Sequence, residues 1–157
     1  MRAEANLSKR LAELGLSLPP PAVPKGLYKP IVLVGNLAYT SGHLPQKPDG
    51  TLFAGRLGAE LDLDLGQSAA QQAGLAILAS LRAALGSLDR VRRVVKVLGL
   101  VNCTPDFRQQ PVVINGCSQL FADVFGPEAG VGARSAVGAV SLPLDAAVEI
   151  EAVFEIE

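Results

Sequence analysis

Residues 147–156 read AVEIEAVFEI, and in them Val148, Ile150, Ala152, Phe154 and Ile156 alternate with Glu149, Glu151, Val153 and Glu155. Side chains of an extended strand point to opposite faces at each step, so one face is uniformly apolar and the other carries three carboxylates. Such a strand fits a sheet covered on one side only. Two segments upstream supply the cover. Over residues 67–85, Ala70, Ala73, Ile77, Leu81 and Leu85 recur at helical spacing, and Gly86 follows as a terminator. Over residues 111–125, Val113, Cys117, Leu120, Phe121 and Val124 share one helical face.

The other strands read as follows. Residues 31–35 are an apolar β-type run, Gly35-Asn36 is a hairpin turn, and residues 37–42 form the partner strand. Residues 91–101 are β-rich, and residues 133–142 precede a Pro143-Leu144-Asp145 turn into the closing strand. The order of two strands, helix, strand, helix and two strands predicts an α+β sandwich: a mixed β-sheet with two helices packed on one face, in a single domain over residues 23–157. Residues 1–22 stand apart as an N-terminal helix over residues 3–14, with Leu7, Leu11 and Leu14 on one face, then Gly15 and a proline-rich tether from Pro19 to Pro24. Residues 44–65 read as a long excursion at the sheet edge, with a turn at Pro48-Asp49-Gly50.

Composition narrows the function classes. Hydrophobic residues make up 49% of the 157, yet aromatics are 4% and there is no Trp, a surplus of small apolar side chains that points to burial between subunits. A net charge of −1 argues against a general nucleic-acid or anionic-membrane binder. No apolar run approaches the roughly 18 residues of a membrane span, and the N-terminal segment lacks a secretory apolar stretch, so a cytosolic protein is expected. Cys103 and Cys117 have neither CxxC spacing nor a histidine cluster, since His43 is the single histidine. No metal site is expected, and both thiols read as buried and reduced, with a Cys-His pair as the alternative. Gly130-Val131-Gly132 precedes a strand rather than a helix, so no phosphate loop and no cofactor is indicated.

Four separated motifs carry a resemblance. Gly132-Ala133-Arg134-Ser135-Ala136-Val137, then Leu142-Pro143, then Val148-Glu149-Ile150-Glu151-Ala152 close the chain, and Gly35 to Gly42 (GNLAYTSG) forms the early hairpin. Tyr28 lies upstream of that hairpin and Asn115 at the entry to the second helix. Together they resemble the Rid family, the YjgF-type reactive-intermediate deaminases formerly called L-PSP endoribonucleases, over residues 23–156. The resemblance implies a chorismate-mutase-like fold and a homotrimeric barrel with clefts between subunits. It also implies hydrolysis of 2-imino acids and their enamine tautomers to 2-keto acids and ammonia. The chain departs from the compact archetype in residues 1–22, in the longer excursion, in Ala136 where a cysteine is often found, and in His43 where a glutamine is often found.

An arginine guanidinium takes a carboxylate through two parallel hydrogen bonds while staying charged. The resemblance therefore implies Arg134 as the anchor of the substrate carboxylate and Glu149 as the proton-handling group, with Tyr28, Gly42, Asn115 and Ala136 around the substrate. Taken from the residues alone, Arg134 pairs with a glutamate of the adjacent strand, worth about 0–1 kcal/mol when exposed. His43 reads either as a group aimed into the cleft or as a loop hydrogen-bonder and is left out of the catalytic set. Competing functions are a non-catalytic trimer that binds keto acids or related carboxylates and, more weakly, an endoribonuclease.

Overall fold

The computed structural model describes residues 6–157. Among them a five-stranded sheet is built from β1 (Ile31–Val34), β2 (Leu37–Thr40), β3 (Val91–Asn102), β4 (Ala133–Ala139) and β5 (Val148–Ile156), in the spatial order β1-β2-β5-β3-β4. Only β3 and β4 run parallel, and α3 (Gln110–Phe125) provides the crossover that a parallel pair requires. This is the expected mixed sheet of the chorismate-mutase-like fold. With α1 (Leu7–Glu13) and α2 (Leu63–Leu85) there are three helices among the described residues.

β5 is central, between β2 and β3. Its Val148, Ile150, Ala152, Phe154 and Ile156 are all buried. α2 and α3 cover that face, as the alternation predicts, and the ring of Phe121 meets Phe154 edge-on at 5.5 Å. The predicted stripes of both helices are buried, Cys117 included, and burial pushes the Cys117 thiol up to about 12. Cys103 is likewise buried and free.

The boundaries differ where side chains compete with pattern. α2 starts at Leu63, not residue 67, because the Asp62 carboxylate accepts from the Leu65 N–H at 2.9 Å and caps a first turn that reads as loop. β4 stops at Ala139, not residue 142, where its partner strand ends at Asn102. β2 stops at Thr40, whose hydroxyl accepts from the Ala152 N–H. α1 docks through buried Leu7 and Leu11, with the Leu7 N–H on Asp89 Oδ1 at 2.8 Å and Arg10 Nε on the Asp123 carbonyl at 2.9 Å. The expected helix start at residue 3 lies outside the described residues. The excursion is pinned by bridges of Ala54 to Ala146 and of Leu57 to Cys103, and its expected turn closes with Asp49 accepting from Thr51. No described helix is long and apolar enough to cross a membrane.

α2 and α3 come close together at Gly116, where an added Cβ would run into the backbone carbonyl of Gln67. Backbone cannot rotate aside as a side chain can. Gly116→Ala is therefore expected to destabilise the protein by about 1–3 kcal/mol in urea denaturation. At an open helix position the same change would gain about 1 kcal/mol, and such a gain would contradict the close approach.

Candidate active site

Arg134 is the second residue of β4, in register with Val97, and the pleat turns it to the helix-covered side of the sheet. There its Nη1 donates to Asn115 Oδ1 at 2.7 Å and to Ser118 Oγ at 3.1 Å, one helical turn apart on α3. Nε and Nη2 donate to no protein group among the described residues. The expected pairing of Arg134 with a glutamate does not occur. β4 neighbours β3, not β5, and the ion pairs among the described residues are Arg10 with Glu13 and Arg92 with Glu157. Arg134 thus faces a cavity of about 210 Å³, between Val97, Phe121 and the 130–132 loop, with half of its fork unused.

Asn115 is consequently an orienter of Arg134 in this chain, and Ser118 is a second one. Sequence reasoning missed Ser118, although its position three residues after Asn115 is the signal that could have found it. Ala136 shares the Arg134 face but packs against the core beside Gly99, and its side chain does not line the cavity.

Glu149, second in β5, points the other way. Its neighbours Val148 and Ile150 are buried under the helices, so Glu149 lies on the open face, half-buried. Gly42 is the reason it fits: a Cβ there would collide with the Glu149 carboxylate. Burial and the adjacent Glu151 both raise the Glu149 pKa above its ordinary 4.5. Tyr28 is held near Gly42 because the Ser41 N–H donates to the Pro30 carbonyl at 2.9 Å and the Ser41 hydroxyl donates to the Lys29 carbonyl at 2.6 Å. Tyr28, Ser41 and Gly42 line a second cavity of about 380 Å³. Arg134 with Asn115 and Ser118 thus lies on the helix-covered face, and Glu149 beside Gly42 lies on the open face. The cavity at Arg134 and the cavity at Gly42 share no lining residue among the described residues.

His43 is an internal anchor. It is buried, its Nδ1 lies 2.7 Å from the Ser41 carbonyl and its Nε2 lies 2.8 Å from Ser80 Oγ on α2. A carbonyl only accepts, so Nδ1 carries the proton and Nε2 accepts from the serine, a neutral tautomer. Neither ring nitrogen pairs with a thiol, which disposes of the Cys-His alternative.

Burial holds the His43 pKa below its ordinary 6.5. A depressed folded pKa means that His43 supports the fold fully above 6.5 and that this support is lost as pH falls toward the folded value. His43→Gln, which keeps a donor and an acceptor, is expected to flatten the loss of thermal stability between pH 7 and about pH 5. An unchanged acid limb in the variant would show that His43 does not set it.

The model of a family described as "YjgF/chorismate_mutase-like, putative endoribonuclease" matches residues 8–155. Protein TCP17 of Trypanosoma cruzi is 43% identical over 154 residues, 98% of this chain and 96% of its own length. The crystal structure of Atu1372, a protein with unknown function from Agrobacterium tumefaciens, is 43% identical with a TM-score of 0.89 and covers 98% of this chain and 96% of that one. RidA from the Antarctic bacterium Psychrobacter sp. PAMC 21119 is 30% identical, with a TM-score of 0.60, over 87% of this chain and 94% of its own. The coverage of the first two takes in α1 and the proline-rich tether that follows it, a strap over residues 19–24. On the mixed sheet and these matches, the chain belongs to the YjgF/chorismate-mutase-like family, the Rid family.

Proposed function

We propose that the protein hydrolyses 2-imino acids and their enamine tautomers to 2-keto acids and ammonia. In this reading it works as a cytosolic homotrimer, in clefts where Arg134 of one protomer faces Glu149 of the next. The observation that carries the reading is an arginine held in place by two neutral oxygens, with no carboxylate partner among the described residues, at the mouth of a cavity. Neutral acceptors orient the guanidinium without neutralising it, which leaves it ready for a planar carboxylate. The separation of Arg134 from Glu149 across the sheet supports the subunit interface, since in this reading a second copy completes the site. Exposed apolar residues on the open face, Val32, Val34, Tyr39 and Val137, give that copy a surface to cover.

The chemistry follows from these groups. Water adds to the imine carbon of R–C(=NH)–COO⁻ while Glu149 takes one of its protons and passes it to nitrogen, giving a 2-amino-2-hydroxy acid. The hydroxyl proton then moves by way of the same carboxylate to the amine, the C–N bond breaks, and R–C(=O)–COO⁻ and NH₃ leave with Glu149 unchanged. A raised pKa suits a carboxyl group that must both take and give a proton near neutral pH. Ribonuclease chemistry is less well served, since the single imidazole is buried and bonded at both nitrogens, and the open face carries Glu149, Glu151 and Glu155.

Arg134→Ala is expected to leave the fold intact and lower imine hydrolysis by about 100-fold or more, with little recovery in Arg134→Lys, because lysine keeps the charge but loses the fork. Ammonia release from freshly generated imine, against an enzyme-free control, measures it. Near wild-type turnover in Arg134→Ala would sink the anchor role. A site shared between subunits makes a further prediction. Refolding Arg134→Ala and Glu149→Gln chains together in equal amounts should restore about one quarter of wild-type activity, the share of interfaces that receive both intact residues. No restoration would place both residues in one subunit's site.

A further inference from the structure

The two segments in which this chain departs from the compact family pattern meet around one cavity. The lining of the cavity of about 380 Å³ takes in Pro20, Pro21, Ala22 and Val23 from the proline strap, then Lys25 just after it, and Leu44 and Leu52 from the excursion. Ala76 of α2 is at its floor and Leu144 at its rim. Its volume falls in the range of about 300–1,000 Å³ typical of small-molecule sites. Gly42 belongs both to this lining and to the seat of the Glu149 carboxylate, so a single glycine separates the cavity from Glu149, which does not itself line it.

The lining is predominantly apolar. Lys25 is the one ionised side chain in it and is exposed, with its ammonium in water. His43 also contributes, but both of its ring nitrogens are already engaged with Ser41 and Ser80. The rim shows backbone strain: Leu144 and Asp145 stand consecutively at φ 57° and 55°, a conformation unfavourable for a branched residue such as leucine. Asp145 is locked from two sides, by Asn102 Nδ2 on its Oδ1 at 3.1 Å and by the Gly55 N–H on its carbonyl at 2.8 Å. The locked turn leaves Leu144 69% exposed at the cavity mouth, where only a ligand or a partner would cover it.

We propose that this cavity is the specificity pocket for the substrate's side chain, and that it selects 2-imino and 2-keto acids with a large apolar substituent, aromatic or branched aliphatic, over small or acidic ones. The proposal rests on the deaminase reading for the reaction and adds the substrate class. The carboxylate lies on Arg134 of one protomer, the reacting carbon faces Glu149 of the next, and the substituent runs past Gly42 between the strap and Leu144. Ala76 and Leu144 act here as specificity residues and take no part in the chemistry.

Two readouts keep the proposal separate from the reaction. Hydrolysis is compared for imines generated in situ from phenylalanine, leucine, alanine and glutamate, and binding is measured calorimetrically for phenylpyruvate, pyruvate and 2-oxoglutarate. Phenylalanine- or leucine-derived imine should be preferred over the alanine-derived one by at least about tenfold in kcat/KM, and phenylpyruvate should bind at least about tenfold more tightly than pyruvate. Leu144→Asn removes the apolar wall with a residue that tolerates positive φ, and Ala76→Phe fills the floor; each should reduce the preference while sparing alanine-derived turnover. Turnover without side-chain preference, or a preference unchanged in Leu144→Asn, overturns the pocket and leaves the deaminase reading standing. No turnover on any imine, with tight phenylpyruvate binding that Leu144→Asn weakens, overturns the deaminase reading and supports the pocket. Tightest binding of 2-oxoglutarate, or no binding of any probe, overturns the pocket.

Discussion

The burial of the apolar face of β5 under α2 and α3 places everything else. Val148, Ile150, Ala152 and Phe154 form the floor on which α2 rests and which α3 reaches through Phe121 on Phe154, and each fully buried large side chain of this kind contributes about 1.5–3 kcal/mol. Sliding β5 by one residue would exchange that floor for Glu149, Glu151 and Glu155 and bury three carboxylates. The register therefore has one acceptable setting. With it, Glu149 must lie on the open face, and through β3 the register sends Arg134 to the helix side, within reach of α3. The geometry of the candidate site is a by-product of forming the core.

The two ionisable groups are prepared in opposite ways. Arg134 rests on Asn115 and Ser118, neutral oxygens, with no carboxylate paired to it among the described residues. Glu149 sits against Gly42 with Glu151 nearby, an environment that penalises its ionised form. One environment leaves a guanidinium with donors to spare, and the other raises the pKa of a carboxyl group.

His43 shows how the departures from the family pattern hang together. By bridging the end of β2 to Ser80, it ties the Ser41-Gly42 turn to α2, and the same turn carries the segment of Tyr28 through Ser41. The strap and the excursion then pass on either side of that turn. A residue that reads as a candidate acid or base proves to be the fastening of a cavity wall.

The fold was legible because its signals are periodic. Alternation in residues 148–156, the stripe from Ala70 to Leu85, and the face of Val113 to Val124 each state which side is buried, and the structure buries those sides. Element ends were less legible, since the Asp62 cap that starts α2 early is a single hydrogen bond rather than a pattern. Arg134 and Glu149 stood out through their motifs. Their opposite faces followed from alternation only once β4 was known to pair with β3, and strand order depends on long-range packing that no local pattern encodes. Ser118, the burial of His43, and the meeting of Pro21, Leu52 and Leu144 around one cavity were decided by tertiary structure alone. Each brings together residues distant in the chain, and such contacts are selected by the free energy of the whole packed core rather than by the preferences of any one segment.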